Sequence, residues 1–464
     1  MQQSLPLSRE IVLIGGGHTH ALLLRKWGMA PLPGARLTVI NPDPTAPYTG
    51  MLPGFVAGHY SRDALEIDLV KLARFADARL IFGRVTAIDR TTKRLAVPGR
   101  PDIAYDIASL DIGITSDMPT LPGFTEHGIA AKPLGPFASR WQAHLDGSGG
   151  PCVVIGGGVA GVELALAMQH ALGPRGTVTV IEAGLALQGI GAPTRNQLCT
   201  ALDTAKIQLL EQTTVTQVHA DHVELSNGTT CPATLTVGAA GARPFDWLAD
   251  TGLDLTDGFV TVDATLRSVT DPNIFAVGDC AHLSHAPRPK AGVFAVRAAP
   301  TLTANLKAVA SDTGLTRFNP QSHYLKLISL GGKTALADKW DRSISGAWAW
   351  TWKDRIDRAF MDRLGKLPDM SPKPPQLRAT GAVSDTPLCG GCGAKVGAHV
   401  LDTMTSALPQ ATSDLTLGPG DDAALLRTGD ATQVLTTDHL RAFWNDPWLM
   451  GRIAAIHALS LIHI

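Results

Sequence analysis

The stretch that most constrains the fold of this chain occurs twice. Residues 9–28 read "REIVLIGGGHTHALLLRKWG" and residues 151–173 read "PCVVIGGGVAGVELALAMQHALG". Each is a β-branched apolar run, then three glycines, then an apolar-periodic stretch, which is the pattern of strand, tight turn and helix. A further β-branched run follows each of them, "ARLTVIN" and "GTVTVIEAG". Strands that alternate with helices build a parallel sheet covered by helices. The repeat of the whole pattern implies two such units, and 464 residues leave room for two or three domains.

The glycine spacing says what the turns are for. Gly156, Gly158 and Gly161 form G-x-G-x-x-G. The first glycine permits the tight turn, the second lets backbone approach a pyrophosphate, and the third lets helix and strand pack closely. Glu182 ends the next strand and is placed to accept from a ribose 2′-hydroxyl. A carboxylate there repels a 2′-phosphate, so NADH is favoured over NADPH. The first turn has Gly15 and Gly17, but His20 stands at the third position, and its next strand ends in Asn41, whose amide can hydrogen-bond a ribose. The expected fold class is therefore α/β, with two Rossmann-like dinucleotide-binding units.

Bulk properties narrow the class. Net charge is −1, with no long basic run, so nucleic acid is not an expected partner. Six cysteines in a chain of this length imply no disulfide framework, and a reducing cytoplasm fits. The N-terminus lacks the form of a signal peptide, and no window has the ~18–20 apolar residues of a spanning helix. In "WAWTWKDRIDRAFMDRLG", Ile356, Phe360 and Leu364 recur every fourth residue. That stripe is expected to pack on the protein body; a basic, tryptophan-flanked helix lying peripherally at a membrane surface is the alternative.

Two dinucleotide turns in one chain resemble the two-dinucleotide-binding-fold flavoproteins, with FAD on the N-terminal unit and NAD(P)H on the inserted one. "TDPNIFAVGDCAH" resembles their second FAD signature, in which Gly278 lets backbone approach the flavin chain and Asp279 accepts from a ribitol hydroxyl. "LTVGAAGARP" resembles the strand that crosses back from the NAD unit. Within this superfamily the chain is most similar to the type II NADH dehydrogenase-like group. "PYTGMLPGFVAGHY" resembles the loop lining the flavin ring there, and "PKAGVFAVRAAPTLTANL" the helix at its pyrimidine edge. Lys290, or that helix start, would stabilise negative charge on reduced flavin. The CxxxxC pair of the disulfide reductases is missing, so hydride is expected to pass from NADH to flavin and straight to an external acceptor. Quinones and selenium or sulfur compounds are the candidate small-molecule acceptors, and a homodimer is compatible with the sequence.

The chain changes character after residue 364. Residues 8–364 are expected to form the oxidoreductase, with the NAD unit at about 150–240 inserted in the FAD unit and an α+β part at about 318–364. Residues 365–387 are proline-rich and read as a linker, with a further module at 388–464. "LCGGCGAKVG" opens that module. Zinc lacks the second ligand pair it needs, a redox CxxC should follow a strand, and a third possibility is the thiol of Cys392 made nucleophilic by Lys395 nearby. With "DDAA", "TTD" and "DPWLMGRIAAIHALS" following in order, the set resembles selenide, water dikinase (selenophosphate synthetase). That resemblance implies Cys392 as the thiol that handles selenide, Lys395 on the transferring phosphate, and Asp422 and Asp438 holding Mg²⁺ with ATP. The family has an aspartate where this chain has Leu461, and the α+β module reads as truncated, with dikinase activity expected only of an untruncated parent. Three readings follow: an FAD- and NADH-dependent oxidoreductase fused to this module, a membrane-peripheral NADH:quinone reductase, and a non-catalytic flavin-binding redox sensor. In the first, the flavin half would reduce a selenium species to the selenide that the other half phosphorylates.

Overall fold

The computed structural model describes residues 5–116, 118–340, 342–370, 398–407, 415–417, 423–436, 440 and 442–462. The chain divides into two compact units, Met1–Pro368 and Asp369–Ile464.

The first unit holds two five-stranded parallel sheets of the same design. Strands β1 (Arg9–Ile14), β2 (Ala35–Asn41), β3 (Arg79–Phe82), β4 (Ile107–Leu110) and β13 (Ile274–Ala276) lie in the order β13-β4-β1-β2-β3. Strands β5 (Gly128–Ala130), β6 (Cys152–Ile155), β7 (Val178–Ile181), β8 (Gln208–Leu210) and β12 (Leu235–Gly238) lie in the order β5-β12-β6-β7-β8. The strands of each sheet read as near-continuous apolar runs because helices cover both faces; Ile11, Val12 and Leu13 of β1 are fully buried. In both sheets the chain reverses direction across the central strand, β1 or β6. The crevice at such a switch point, beyond the carboxyl ends of the strands, is where ligands bind in open α/β sheets.

Helices α1 (His18–Met29) and α3 (Val159–Leu172) follow the two glycine turns. The second sheet also carries α2 (Leu134–Asp146), α4 (Ala192–Thr204) and an antiparallel meander, β9 (Val215–Val218), β10 (His222–Leu225) and β11 (Thr230–Pro232). The chain passes between the two sheets and back through a short antiparallel pair, Thr115–Ser116 against Ala242–Arg243. Helix α5 (Gly292–Ala310) packs on α1. A three-stranded antiparallel sheet, β14 (Lys326–Ser329), β15 (Ala335–Lys339) and β16 (Arg342–Gly346), and helix α6 (Ala347–Gly365) complete the unit.

The second unit has helix α7 (Ala398–Ser406), an antiparallel sheet of β17 (Leu415–Leu417), β18 (Ala424–Thr428) and β19 (Ala431–Leu435), and helix α8 (Pro447–Ile462). Among its described residues only Asp446 is buried, whereas Val434, Leu435, Phe443, Ile456 and Leu459 are exposed.

Candidate functional site

The first glycine turn is short and tightly built. β1 ends at Ile14 and α1 starts at His18, so Gly15–Gly17 make the whole connection. Gly15 has φ +89°, and a Cβ there would fall 2.5 Å from the Asp111 carbonyl oxygen. The turn walls a cleft of about 330 Å³ that is also lined by Asn41, Asp43, Asp111, Lys132, Asp279 and Lys290. Asn41 Oδ1 accepts from the Gly16 N–H at 2.9 Å and its Nδ2 donates to the Asp43 carbonyl at 2.7 Å. The amide thus ties the turn to the end of β2.

Asp279, just past β13, faces the same cleft and pairs with Lys132 at 3.3 Å. Lys290 Nζ donates to the Ala281 carbonyl at 2.6 Å and lies 3.7 Å from the Phe259 ring centroid. Burial lowers its pKa.

Sequence reasoning missed the residue that organises this cleft. Asp111 follows β4, and its Oδ2 accepts from the backbone N–H of Thr19 at 2.9 Å and of His20 at 3.1 Å, both at the open start of α1. The carboxyl occupies space that two glycines leave free. A Cβ on Gly17 would fall 2.3 Å from Asp111 Cγ, and one on Gly278, at φ +68°, would fall 2.5 Å from Asp111 Oδ1. Burial pushes the Asp111 pKa up to about 7 against the pull of those N–H groups. The available signal was an acid closing the apolar run "IASLD".

His20 replaces the third glycine and is fully buried. Its Nδ1 lies 2.7 Å from the Gly15 carbonyl and its Nε2 2.8 Å from Ser109 Oγ. A carbonyl can only accept, so Nδ1 carries the proton and Nε2 accepts from the serine hydroxyl. Burial depresses the His20 pKa to about 4, which keeps the ring neutral. His18, also held below its ordinary pKa by burial, packs edge-on against Tyr48 and Phe360. Tyr48 donates to Asp357 at 3.0 Å, and Asp357 pairs with Lys353 at 2.7 Å. Helix α6 therefore clasps the segment that starts at Pro47.

The second turn follows the glycine pattern in full. Gly156 has φ +115°, and a Cβ on Gly161 would fall 1.9 Å from the Gly156 carbonyl oxygen, so strand and helix meet backbone to backbone. A Cβ on Gly158 would meet nothing within 4 Å, so this side is open for a ligand. Glu182 accepts from the N–H of Gly157 at 2.6 Å and of Gly184 at 3.0 Å, which fixes its carboxylate at the mouth of the turn.

Cys152, Cys231 and Cys280 are buried and Cys199 is half-buried, all as free thiols. Burial pushes Cys152 and Cys280 up to about 12, so both stay protonated and unreactive. The expected residues Cys392, Lys395, Asp422 and Asp438 lie outside the described residues.

These surroundings fit a dinucleotide at each turn: glycine backbone for a diphosphate, a helix start behind it, and a polar side chain, Asn41 or Glu182, at the end of the next strand beside the turn. The family described as pyridine nucleotide-disulphide oxidoreductase matches residues 9–299. The NADH dehydrogenase-like protein YutJ of Bacillus subtilis is 22% identical over 286 residues, 60% of this chain and 78% of that protein. The structure of the sulfide:quinone oxidoreductase of Aquifex aeolicus superposes with a TM-score of 0.65 at 19% identity, covering 77% of this chain and 92% of that one. A selenide, water dikinase of Agathobacter rectalis is 39% identical over 79 residues, 16% of this chain and 23% of that protein. The chain belongs to the pyridine nucleotide-disulphide oxidoreductase family, and so to the NAD(P)H-dependent flavoprotein oxidoreductases. Among the described residues, no helix is long and apolar enough to cross a membrane.

Proposed function

We propose that this chain takes hydride from NADH on its second dinucleotide unit, at about 150–240, and delivers it through FAD on the first unit to an external acceptor, with no protein dithiol between them. The observation that carries this reading is the pair of glycine turns, each leaving the central strand of a five-stranded parallel sheet at its switch point. Bound FAD supplies a ring that accepts hydride and releases electrons. The protein's part is positioning. Gly15–Gly17 would hold the diphosphate of FAD, Asn41 a ribose, Asp279 the ribityl chain, and Lys290 or the start of α5 the pyrimidine edge. Gly156, Gly158 and Gly161 would hold the NADH diphosphate, and Glu182 would select against a 2′-phosphate. Among the described residues, Cys152 and Cys280 are held as buried, protonated thiols, which supports a path without a disulfide relay.

The reading extends to the C-terminal residues. The segment from about 388 onward begins a selenide, water dikinase module in which Cys392 handles selenide, Lys395 meets phosphate, and Asp422 and Asp438 hold Mg²⁺ and ATP. The short match to a dikinase supports this. A flavin half that yields selenide would feed such a module directly.

The test is a visible spectrum of the purified protein under argon. Flavin bands that bleach on adding NADH support the proposal; a protein that stays colourless after incubation with FAD refutes it. Steady-state NADH oxidation with a quinone or an oxidised selenium compound then identifies the acceptor. One observation favours a membrane quinone as a second reading. Trp340, Ile344, Trp348, Trp352 and Ile356 are 65%, 63%, 50%, 45% and 43% exposed on β16, α6 and the turn before them. Quinone reduction that rises when lipid vesicles are added supports that reading.

A further inference from the structure

We propose that the β9–β10 hairpin is a binding site for a divalent transition-metal ion, with His219, His222 and Glu224 as ligands and Asp221 orienting His222. The site lies on the meander of the second sheet and uses no residue of either glycine turn.

The hairpin's geometry brings the three side chains together. Val218 pairs with Val223 across the two strands, and the His219 N–H donates to the His222 carbonyl at 2.9 Å, closing a turn of Ala220 and Asp221. Side chains alternate along a strand, so His222 and Glu224 share one face while Val223 takes the other. Val218 and Val223 are buried in a small core with Phe124 and Val153, which anchors the hairpin. His219, across the turn, joins the outward face. Its ring stacks on that of His222 with centroids 4.3 Å apart and planes at 12°. One ligand atom from each of His219, His222 and Glu224 lies within 4.8 Å of the other two. A tetrahedral ion with bonds of ~2.0–2.1 Å needs ligand atoms ~3.4 Å apart, which small side-chain rotations reach.

Proton placement agrees with metal binding. Asp221 Oδ1 lies 2.7 Å from His222 Nδ1, so the carboxylate accepts from Nδ1–H and leaves the Nε2 lone pair for a metal. This is the carboxylate–histidine arrangement that orients metal-bound imidazoles. His219 Nε2 faces Glu224 Oε1 at 3.1 Å, and a cation between them would take the place of the proton there, with the neutral ring carrying its N–H on Nδ1. Two imidazoles and one carboxylate suit Zn²⁺, Co²⁺ or Ni²⁺ and leave an open position for water. Mg²⁺ and Ca²⁺ prefer oxygen alone.

The experiment uses the full chain in a C389S/C392S background, which removes the CxxC thiols as competing soft ligands. After treatment with EDTA, Zn²⁺ is titrated in by calorimetry and Co²⁺ is followed by visible absorption. The expected result is one equivalent more in the background protein than in its H219A/H222A derivative, together with cobalt bands that only the former shows. D221N should raise the Zn²⁺ Kd by roughly tenfold or more, the usual effect of losing the partner behind a ligand, and Mg²⁺ should give no signal. E224Q, a near-isosteric change, should weaken binding as well and gives the answer if the double variant misfolds. Equal stoichiometry and Kd for Zn²⁺ in the background, H219A/H222A and E224Q proteins would overturn the proposal.

Discussion

Alanine at the second glycine of each turn separates two reasons for the same residue. In Gly17→Ala the new Cβ lands 2.3, 2.4 and 2.5 Å from the three carboxyl atoms of Asp111, where non-bonded carbon contacts settle near ~3.5–4.0 Å. The carboxyl is held in place by the N–H groups of Thr19 and His20 and cannot swing away without losing them. Overpacking of this kind costs about 1–3 kcal/mol, and a wedged, hydrogen-bonded group belongs at the upper end. In Gly158→Ala the Cβ meets nothing within 4 Å, and the position has φ −70° and ψ 172°, open to any residue. Its stability should stay within about 0.5 kcal/mol of the parent, while NADH binding weakens because the diphosphate loses its approach. Asp111→Ala removes the obstructing atoms, so the Gly17→Ala/Asp111→Ala pair should show a coupling of about 1–3 kcal/mol. The assay is urea denaturation of the apoprotein followed by tryptophan fluorescence, with the buried Trp27 on α1 reporting on the first sheet. Equal midpoints for Gly17→Ala and Gly158→Ala, or strictly additive effects in the cycle, would refute the packing argument.

The two buried groups of the first turn should impose opposite pH dependences. Asp111 rises from 3.8 to about 7 on folding, so the stability it opposes is greatest below about pH 4 and falls as pH rises to about 7. His20 drops from 6.5 to about 4, so its effect is a loss of stability as pH falls through that range. Denaturation midpoints across this window should show Asp111→Asn gaining on the parent as pH rises and His20→Gln gaining as pH falls; parallel profiles exclude the assignment. Glu182→Ala should lower the NADH-over-NADPH ratio of kcat/KM about tenfold or more, since a unit charge near a phosphate is worth ~1–4 kcal/mol at this kind of site; an unchanged ratio removes Glu182 from selection. Lys353→Ala strips the partner from the buried Asp357 and should destabilise the protein by about 3–5 kcal/mol, read as a loss of denaturation midpoint that Lys353→Ala/Asp357→Asn largely restores.

The repeated turns were legible because each lies within some twenty consecutive residues, where local spacing and local geometry coincide. The same holds for Asn41 and Glu182, which simply close the next strand. Asp111 was not legible as an organiser, because its neighbours Gly17 and Gly278 come from distant parts of the chain and meet only across the sheet. The stripe of Ile356, Phe360 and Leu364 holds at two of its three positions, and the third departs for a geometric reason. At 3.6 residues per turn, a step of four overshoots a full turn by about 40°, so three such residues fan over about 80°. Phe360 and Leu364 are buried as expected, but Ile356 is 43% exposed and lines up outward with Trp348 and Trp352. The inward face at that level is instead the charged pair Lys353 and Asp357, which spacing of apolar residues cannot reveal.

The two units finish the same turn differently, and the difference follows their proposed tasks. In the second, Gly161 lets helix α3 close onto the strand turn, and Gly158 presents bare backbone to solvent. Nothing there must move when a ligand arrives or leaves, which suits a nicotinamide cofactor exchanged at every turnover. In the first, helix α1 stands off far enough for an imidazole to fill the gap, reaching the Gly15 carbonyl from His20. The N–H groups at the start of that helix are already met by Asp111. A diphosphate arriving beside that carboxyl would raise its proton affinity further and hold it neutral, so near neutral pH a proton would be taken up at binding and given back at release. That is a poor design for rapid exchange and a workable one for a cofactor that stays, as FAD would. Fast loss of FAD at neutral pH, unchanged in Asp111→Asn, would contradict this division of labour.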